Sequence, residues 1–141
     1  MPEDRPLAAI NTAVGISAIG GAAYALSGAK DWPVEWLDGT PFRSYRIPGL
    51  ILGLIHAPLD LAAGYALWRE RPHATTLALA SGTVQLGWIA TQYRIIGLRS
   101  FLQPLLGVIG AISLTLAVRR ARRRSPVDSA GAPTPDANPG P

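Results

Sequence analysis

A histidine and an aspartate, His56 and Asp60, stand four residues apart in LIHAPLDLAAGY, a stretch whose other residues suit hydrocarbon. A carboxyl and an imidazole at that spacing can hold or share a proton, bind a ligand, or hydrogen-bond across to another helix. At about 100° per residue, Gly49, Gly53, His56, Asp60 and Gly64 fall within an arc of roughly 80°, so one helix face carries small residues and the two ionisable ones. Pro58 lies between them and has no N–H, which deprives the Leu54 carbonyl of its helical donor and predicts a kink. Ser81, Gln85, Trp88 and Gln92 form a second stripe, at spacings of four, three and four. If the two helices are antiparallel, Gln85 lies near the depth of His56 and Ser81 near that of Asp60. His56, Asp60, Gln85 and Gln92 are thus a candidate polar seam for proton or ligand handling, or for helix packing alone.

The elements that would position such a seam follow from composition. The chain has 141 residues, of which 48% are hydrophobic and 16% charged, and its mean hydropathy is +0.21. Four apolar stretches, 7–28, 47–68, 74–97 and 101–118, each approach the ~20 residues that cross a bilayer. The expected fold is therefore all-α and membrane-embedded, a compact antiparallel bundle of four transmembrane helices. The first stretch exceeds the ~7–15 apolar residues of a signal peptide and follows MPEDRP, not a basic n-region, so it reads as a retained span. On it Asn11, Gly15, Ala18 and Ala22 make a small-residue face, with Gly15 at about the level of Asp60. An ionised aspartate at the centre of such a helix costs roughly 2.5–3.5 kcal/mol, so Asp60 demands a partner. Desolvation favours neutral forms and mutual attraction the charged ones, which leaves the charge states of His56 and Asp60 open.

Arginine placement sets the expected orientation. Twelve of the thirteen basic residues are Arg; five of them fall in the juxtamembrane block 119–124, and Arg69 and Arg71 sit in the connection between spans two and three. Both groups belong on the cytoplasmic side, with both termini. The block reads as a topology stop that meets anionic head groups. A pI of about 10.1 would also suit nucleic acid, but the charge is juxtamembrane and leaves no recognition fold, so no nucleic-acid partner is expected. The tail 125–141 is rich in Pro, Gly, Ser and Ala and is expected to be disordered. Arg, Ala, Gly and Pro enrichment suggests a GC-rich bacterial source and hence a multi-pass inner-membrane location.

The outer connection AKDWPVEWLDGTPFRSYR is expected to hold a short interfacial helix, capped by Asp31, started at Pro33 and stopped at Gly39. Its aromatic residues suit either an anchor at head-group level or a lid over an outward pocket, with Arg43 or Arg46 meeting an anion.

Several chemistries are excluded. Without cysteine there is no disulfide, thiolate catalysis or cysteine-ligated metal. His56 and His73 lie at different depths, which rules against bis-histidine haem, and His56 with Asp60 falls short of a metal ligand set. There is no HExxH, nucleophile elbow or phosphate loop. No enzyme activity, cofactor or metal is expected.

Two segments, GTPFRSYRIPGLIL and GWIATQYRIIGLRSFLQP, resemble a group of small uncharacterised four-span membrane proteins of actinobacteria. Its pattern is P-F-x-x-Y-x-I-P-G-L at the start of span two, W-I-x-x-(Glu or Gln) late in span three, and L-Q-P opening span four. Pro41, Phe42, Tyr45, Ile47, Pro48, Gly49 and Leu50, then Trp88, Ile89 and Gln92, then Leu102, Gln103 and Pro104 hold those positions here. The resemblance implies no particular activity. It implies that His56 and Asp60 depart from the group's pattern and that a shared site would lie at the outer face, where the aromatic loop, the Ile47–Pro48–Gly49 entry, Gln92, Arg99 and Gln103 collect; Arg43, Tyr45, Arg46, Arg99 and Gln103 are the candidate outer-face residues. Arg94 either joins it or snorkels to the interface.

Two functions follow as expectations: a non-enzymatic structural, lipid-binding or partner-binding subunit, working as a homo-oligomer or with another membrane protein, or a proton-coupled small transporter or ligand-binding protein using the seam. A redox accessory protein is a third, suggested by size alone.

Overall fold

A computed structural model of the protein describes residues 4–125. Beyond Ser125, the tail expected to be disordered lies outside the described residues. Among the described residues the chain is all-helical, with four long helices and no strand: α1 (Arg5–Leu26), α2 (Arg46–Trp68), α3 (Ala74–Ile96) and α4 (Leu102–Arg124). The last helix continues past the apolar stretch and through the arginine block to Arg124. Arg and Ala are strong helix formers, and the chain breaks only as it nears Pro126.

Three helices, α1, α2 and α4, are long and apolar enough to cross a membrane. α3 has the length, with 23 residues, but Thr75, Thr76, Ser81, Gln85, Thr91 and Gln92 dilute its apolar character. Packing is organised as two neighbouring pairs. α1 lies along α2, α3 lies along α4, α2 meets α3, and contact between α1 and α4 is thinner.

The interior is made of small and polar residues. Among the described residues, eleven of the fourteen buried hydrophobic residues are alanines, the others being Leu7, Leu37 and Leu67. Large apolar side chains point outward, among them Ile16, Leu54, Val108 and Ile112. Small residues let the backbones approach closely: a Cβ on Gly64 would stand 2.5 Å from Thr12 Oγ1, and one on Gly15 2.7 Å from Leu61 Cγ.

The connection between α1 and α2 differs from its expected form. Val34–Leu37 is a single 3-10 turn, closed by Trp36 N–H donating to the Pro33 carbonyl and Asp38 N–H to that of Glu35. Four residues between Pro33 and the Asp38–Gly39 stop are too few to nucleate an α-helix, and 3-10 geometry serves short pieces. Asp31 caps nothing; its carboxylate accepts from Tyr24 Oη at 2.8 Å. Trp32 is outside the turn, edge-on to both Tyr24 and Tyr45 with ring centroids 5.2 Å away in each case.

Candidate functional site

The site begins with the backbone of α2. Across Leu52–His56 the helix widens into a π turn, and Ala57 N–H donates to the carbonyl of Leu52, five residues back. The missing N–H of Pro58 lies next to it, so the helical ladder is interrupted where the sequence places the defect. His56 closes the widened turn. It is buried, its side chain hydrogen-bonds with that of Gln85, and its ring lies 5.9 Å from that of Trp88.

One turn further along α2, Asp60 turns to a different partner. The Ser81 hydroxyl and Asp60 Oδ1 are hydrogen-bonded, and Ser81 Oγ also lies 2.8 Å from Asn11 Oδ1. Asn11 Nδ2 donates to the Leu7 carbonyl at 2.9 Å and, more weakly, to Ser113 Oγ at 3.4 Å. One side chain from each helix therefore enters a single chain of hydrogen bonds, and all four residues are at most 5% exposed. Beside them lies a cavity of about 10 Å³, counted as space for the centre of a water molecule, which is room for about one water. Asn11, Asp60, Ser81, Gln85 and Ser113 supply its polar wall; Ile10, Val14 and Ile109 are among its apolar lining.

The seam is thus split. His56 and Gln85 form one unit, and Asp60 joins Ser81 and Asn11 in another; no hydrogen bond connects His56 to Asp60. Gln92 is half-buried and bonded to none of them. Ser81 is held by an amide and a carboxyl, with no imidazole to activate it as a nucleophile. Among the described residues no three or more His, Cys, Asp or Glu gather as a metal site would require.

The outer-face candidates do not converge. Tyr45 Oη donates to the Pro33 carbonyl at 2.7 Å and belongs to the aromatic loop; burial, then the nearby Glu35 carboxylate, pushes its phenol above the ordinary value. Arg43 and Arg46 are exposed on the same connection. Arg99 belongs to the α3–α4 turn, and Gln103 to the first turn of α4 beside it. Gln103 Oε1 accepts from the backbone N–H of Arg99 at 2.8 Å and of Ser100 at 3.2 Å, and its Nε2 donates to the Gly97 carbonyl at 3.2 Å. Its amide is committed to the turn. Arg99 Nε donates to the Ile96 carbonyl, and no hydrogen bond or ring contact links this turn to the Tyr45 loop among the described residues.

Sequence reasoning missed Ser113 and Arg120. Gly110, Ser113, Ala117 and Arg120 recur at spacings of three, four and three, a small-residue stripe that continues into the arginine block and shows that Arg120 faces inward. Arg120 is 2% exposed. It forms an ion pair with Asp4, and its Nε donates to Thr75 Oγ1 at 2.9 Å.

Comparison with family models, curated proteins and solved structures finds no match to this chain.

Proposed function

We propose that the chain is a four-span bacterial inner-membrane protein, with both termini cytoplasmic, that acts as a non-enzymatic structural, lipid-binding or partner-binding subunit. One observation carries the reading: large aliphatic side chains cover the outside of the bundle, and alanine, glycine and hydrogen-bonded polar groups fill the inside. Burying apolar area drives a bundle together in water, whereas close small-residue packing and interhelical hydrogen bonds do so in lipid. α3 crosses with the others because its polar residues, Ser81 and Gln85 above all, face the interior. The exposed stripe Leu105, Val108 and Ile112 on α4, with Phe101 just before it, faces lipid or a protein partner, a second copy included, and the exposed arginines of 119–124 meet anionic head groups. The resemblance to the actinobacterial four-span group is part of the same proposal. Single cysteines at Asp38, Arg71 and Ser100 test it in cells. Labelling by an impermeant thiol reagent from outside at 38 and 100 but not at 71, with the protein retained in membranes after carbonate washing, is the expected result; label at 71 would reverse the topology, and release by carbonate would end the membrane reading.

The second reading is a proton-coupled transporter or ligand-binding protein, favoured by the buried carboxyl of Asp60 beside a water-sized cavity. Proton flux into proteoliposomes, present in wild type and lost in Asp60→Asn at equal incorporation, would promote it. No flux in either keeps the first reading.

A further inference from the structure

The hydrogen-bond chain across the four helices is one hydrogen short if Asp60 is ionised. Asn11 can adopt one orientation only: its Nδ2 lies 2.9 Å from the Leu7 carbonyl, an acceptor that an N–H must face. Its Oδ1 consequently faces Ser81. Ser81 has a single hydroxyl hydrogen, yet its oxygen is within hydrogen-bond reach of both Asn11 Oδ1 and Asp60 Oδ1. With a carboxylate at 60, both neighbours are acceptors and one oxygen pair is left without a hydrogen between them. Both contacts are deeply buried, where an unmet acceptor is costly.

We propose that Asp60 is a proton-binding site, and that the proton held on its carboxyl is the hydrogen that ties the α1–α2 pair to α3. With it every direction is consistent. Asp60 O–H donates to Ser81 Oγ, Ser81 O–H donates to Asn11 Oδ1, and Asn11 Nδ2 donates to the Leu7 carbonyl and Ser113 Oγ. Nothing charged competes for the position among the described residues. Around the cavity α1 presents Ile10, Asn11 and Val14, α3 presents Ser81, Gly82 and Gln85, and α4 presents Ile109, Gly110 and Ser113. The one other titratable group nearby is His56 on α2 itself, which hydrogen-bonds with Gln85 and lies against Trp88. Loss of the proton puts a carboxylate against Ser81 with no cation beside it, and the contact between the two helix pairs loosens.

The inference rests on the membrane-bundle reading, and infrared spectroscopy of the full chain in lipid nanodiscs separates the two. At neutral pH the wild type is expected to show a protonated carboxylic C=O stretch that shifts in D₂O, moves in Ser81→Ala, and vanishes in Asp60→Asn. The asparagine keeps an N–H donor toward Ser81, so that variant retains the fold. Carboxylate bands alone in the wild type overturn the proposal. So does a carboxylic band that appears in choline chloride and disappears in sodium chloride, which would assign the site to a metal cation. Failure to enter nanodiscs overturns the membrane reading instead, and the band is then read on the same protein in buffer.

Discussion

Asp4 and Arg120 form a buried ion pair that closes one end of the bundle, joining the start of α1 to the last turns of α4, with their side chains 9% and 2% exposed. Through Arg120 Nε the pair also holds Thr75 at the start of α3. Three of the four helices are therefore tied at one point. Removing one partner strands a buried charge, whereas removing both leaves an apolar contact. Asp4→Ala is expected to lower stability by about 3–5 kcal/mol, and the double variant Asp4→Ala/Arg120→Met to recover most of it. Thermal unfolding in detergent measures both; equal losses in the single and double variants would contradict the coupling.

Close helix contact makes a second prediction. A methyl added at Gly64 meets Thr12 Oγ1 at 2.5 Å and the Thr12 backbone nitrogen at 3.1 Å, while one added at Gly20 has no neighbour within 4 Å among the described residues. Gly64→Ala should cost about 1–3 kcal/mol through overpacking. Gly20→Ala should be neutral or stabilising by up to about 1 kcal/mol, because alanine favours helix. Similar unfolding midpoints for the two would rule out this packing of α1 on α2.

Gln103 bears on the turn between α3 and α4. Its amide makes three part-buried hydrogen bonds to the backbone between Gly97 and Ser100, so Gln103→Ala leaves three backbone groups without these partners. The expected loss is about 1–3 kcal/mol, with faster amide exchange at Arg99 and Ser100. Gln103→Glu keeps the acceptor and should recover the protection of those two amides; no change in exchange in either variant would show that the turn holds itself.

Tyr45 supplies a pH test of the loop. Burial and Glu35 hold the phenol above its ordinary value of 10.0, so the folded loop binds this proton more tightly than the unfolded chain. Its contribution is complete below the unfolded value, hence throughout the neutral range, and is lost as pH rises through the folded value, where the donor to the Pro33 carbonyl disappears. Trp32 fluorescence, isolated in a chain whose other tryptophans are phenylalanine, should report a constant loop at neutral pH and loosening in the alkaline range. Tyr45→Phe should be loosened already at neutral pH and should lose this part of the alkaline change.

Much of the fold was legible because helix periodicity and apolar length act locally. The small faces of α1 and α2 and the Ser81–Gln85 stripe of α3 could be read at 100° per residue, and the antiparallel register then brings Gln85 to His56 and Ser81 to Asp60. The limits were tertiary. A wheel places His56 and Asp60 on one face but cannot say that each finds a partner on α3 in preference to the other. The sequence places Asn11 on a small-residue face, and its role emerges only when Ser81 and Ser113 arrive from helices distant in sequence. Arg120 looked like its exposed neighbours because a run of like residues hides helical phase. The 3-10 turn depended on how few residues Pro33 and Gly39 leave between them.

The hydrogen-bond chain from Asp60 through Ser81 and Asn11 to Ser113 has a mechanical meaning for a bundle lined with alanine. Alanine faces are shallow, and two of them can slip past each other by a turn with little change in contact. Directional bonds between single side chains on four helices cannot. A slip of one turn, about 5.4 Å, would break the set together, so this cluster indexes the helices along their common axis in the way a lone polar residue sets register in a coiled coil. Bulk packing holds the helices side by side; a few polar atoms decide at what height.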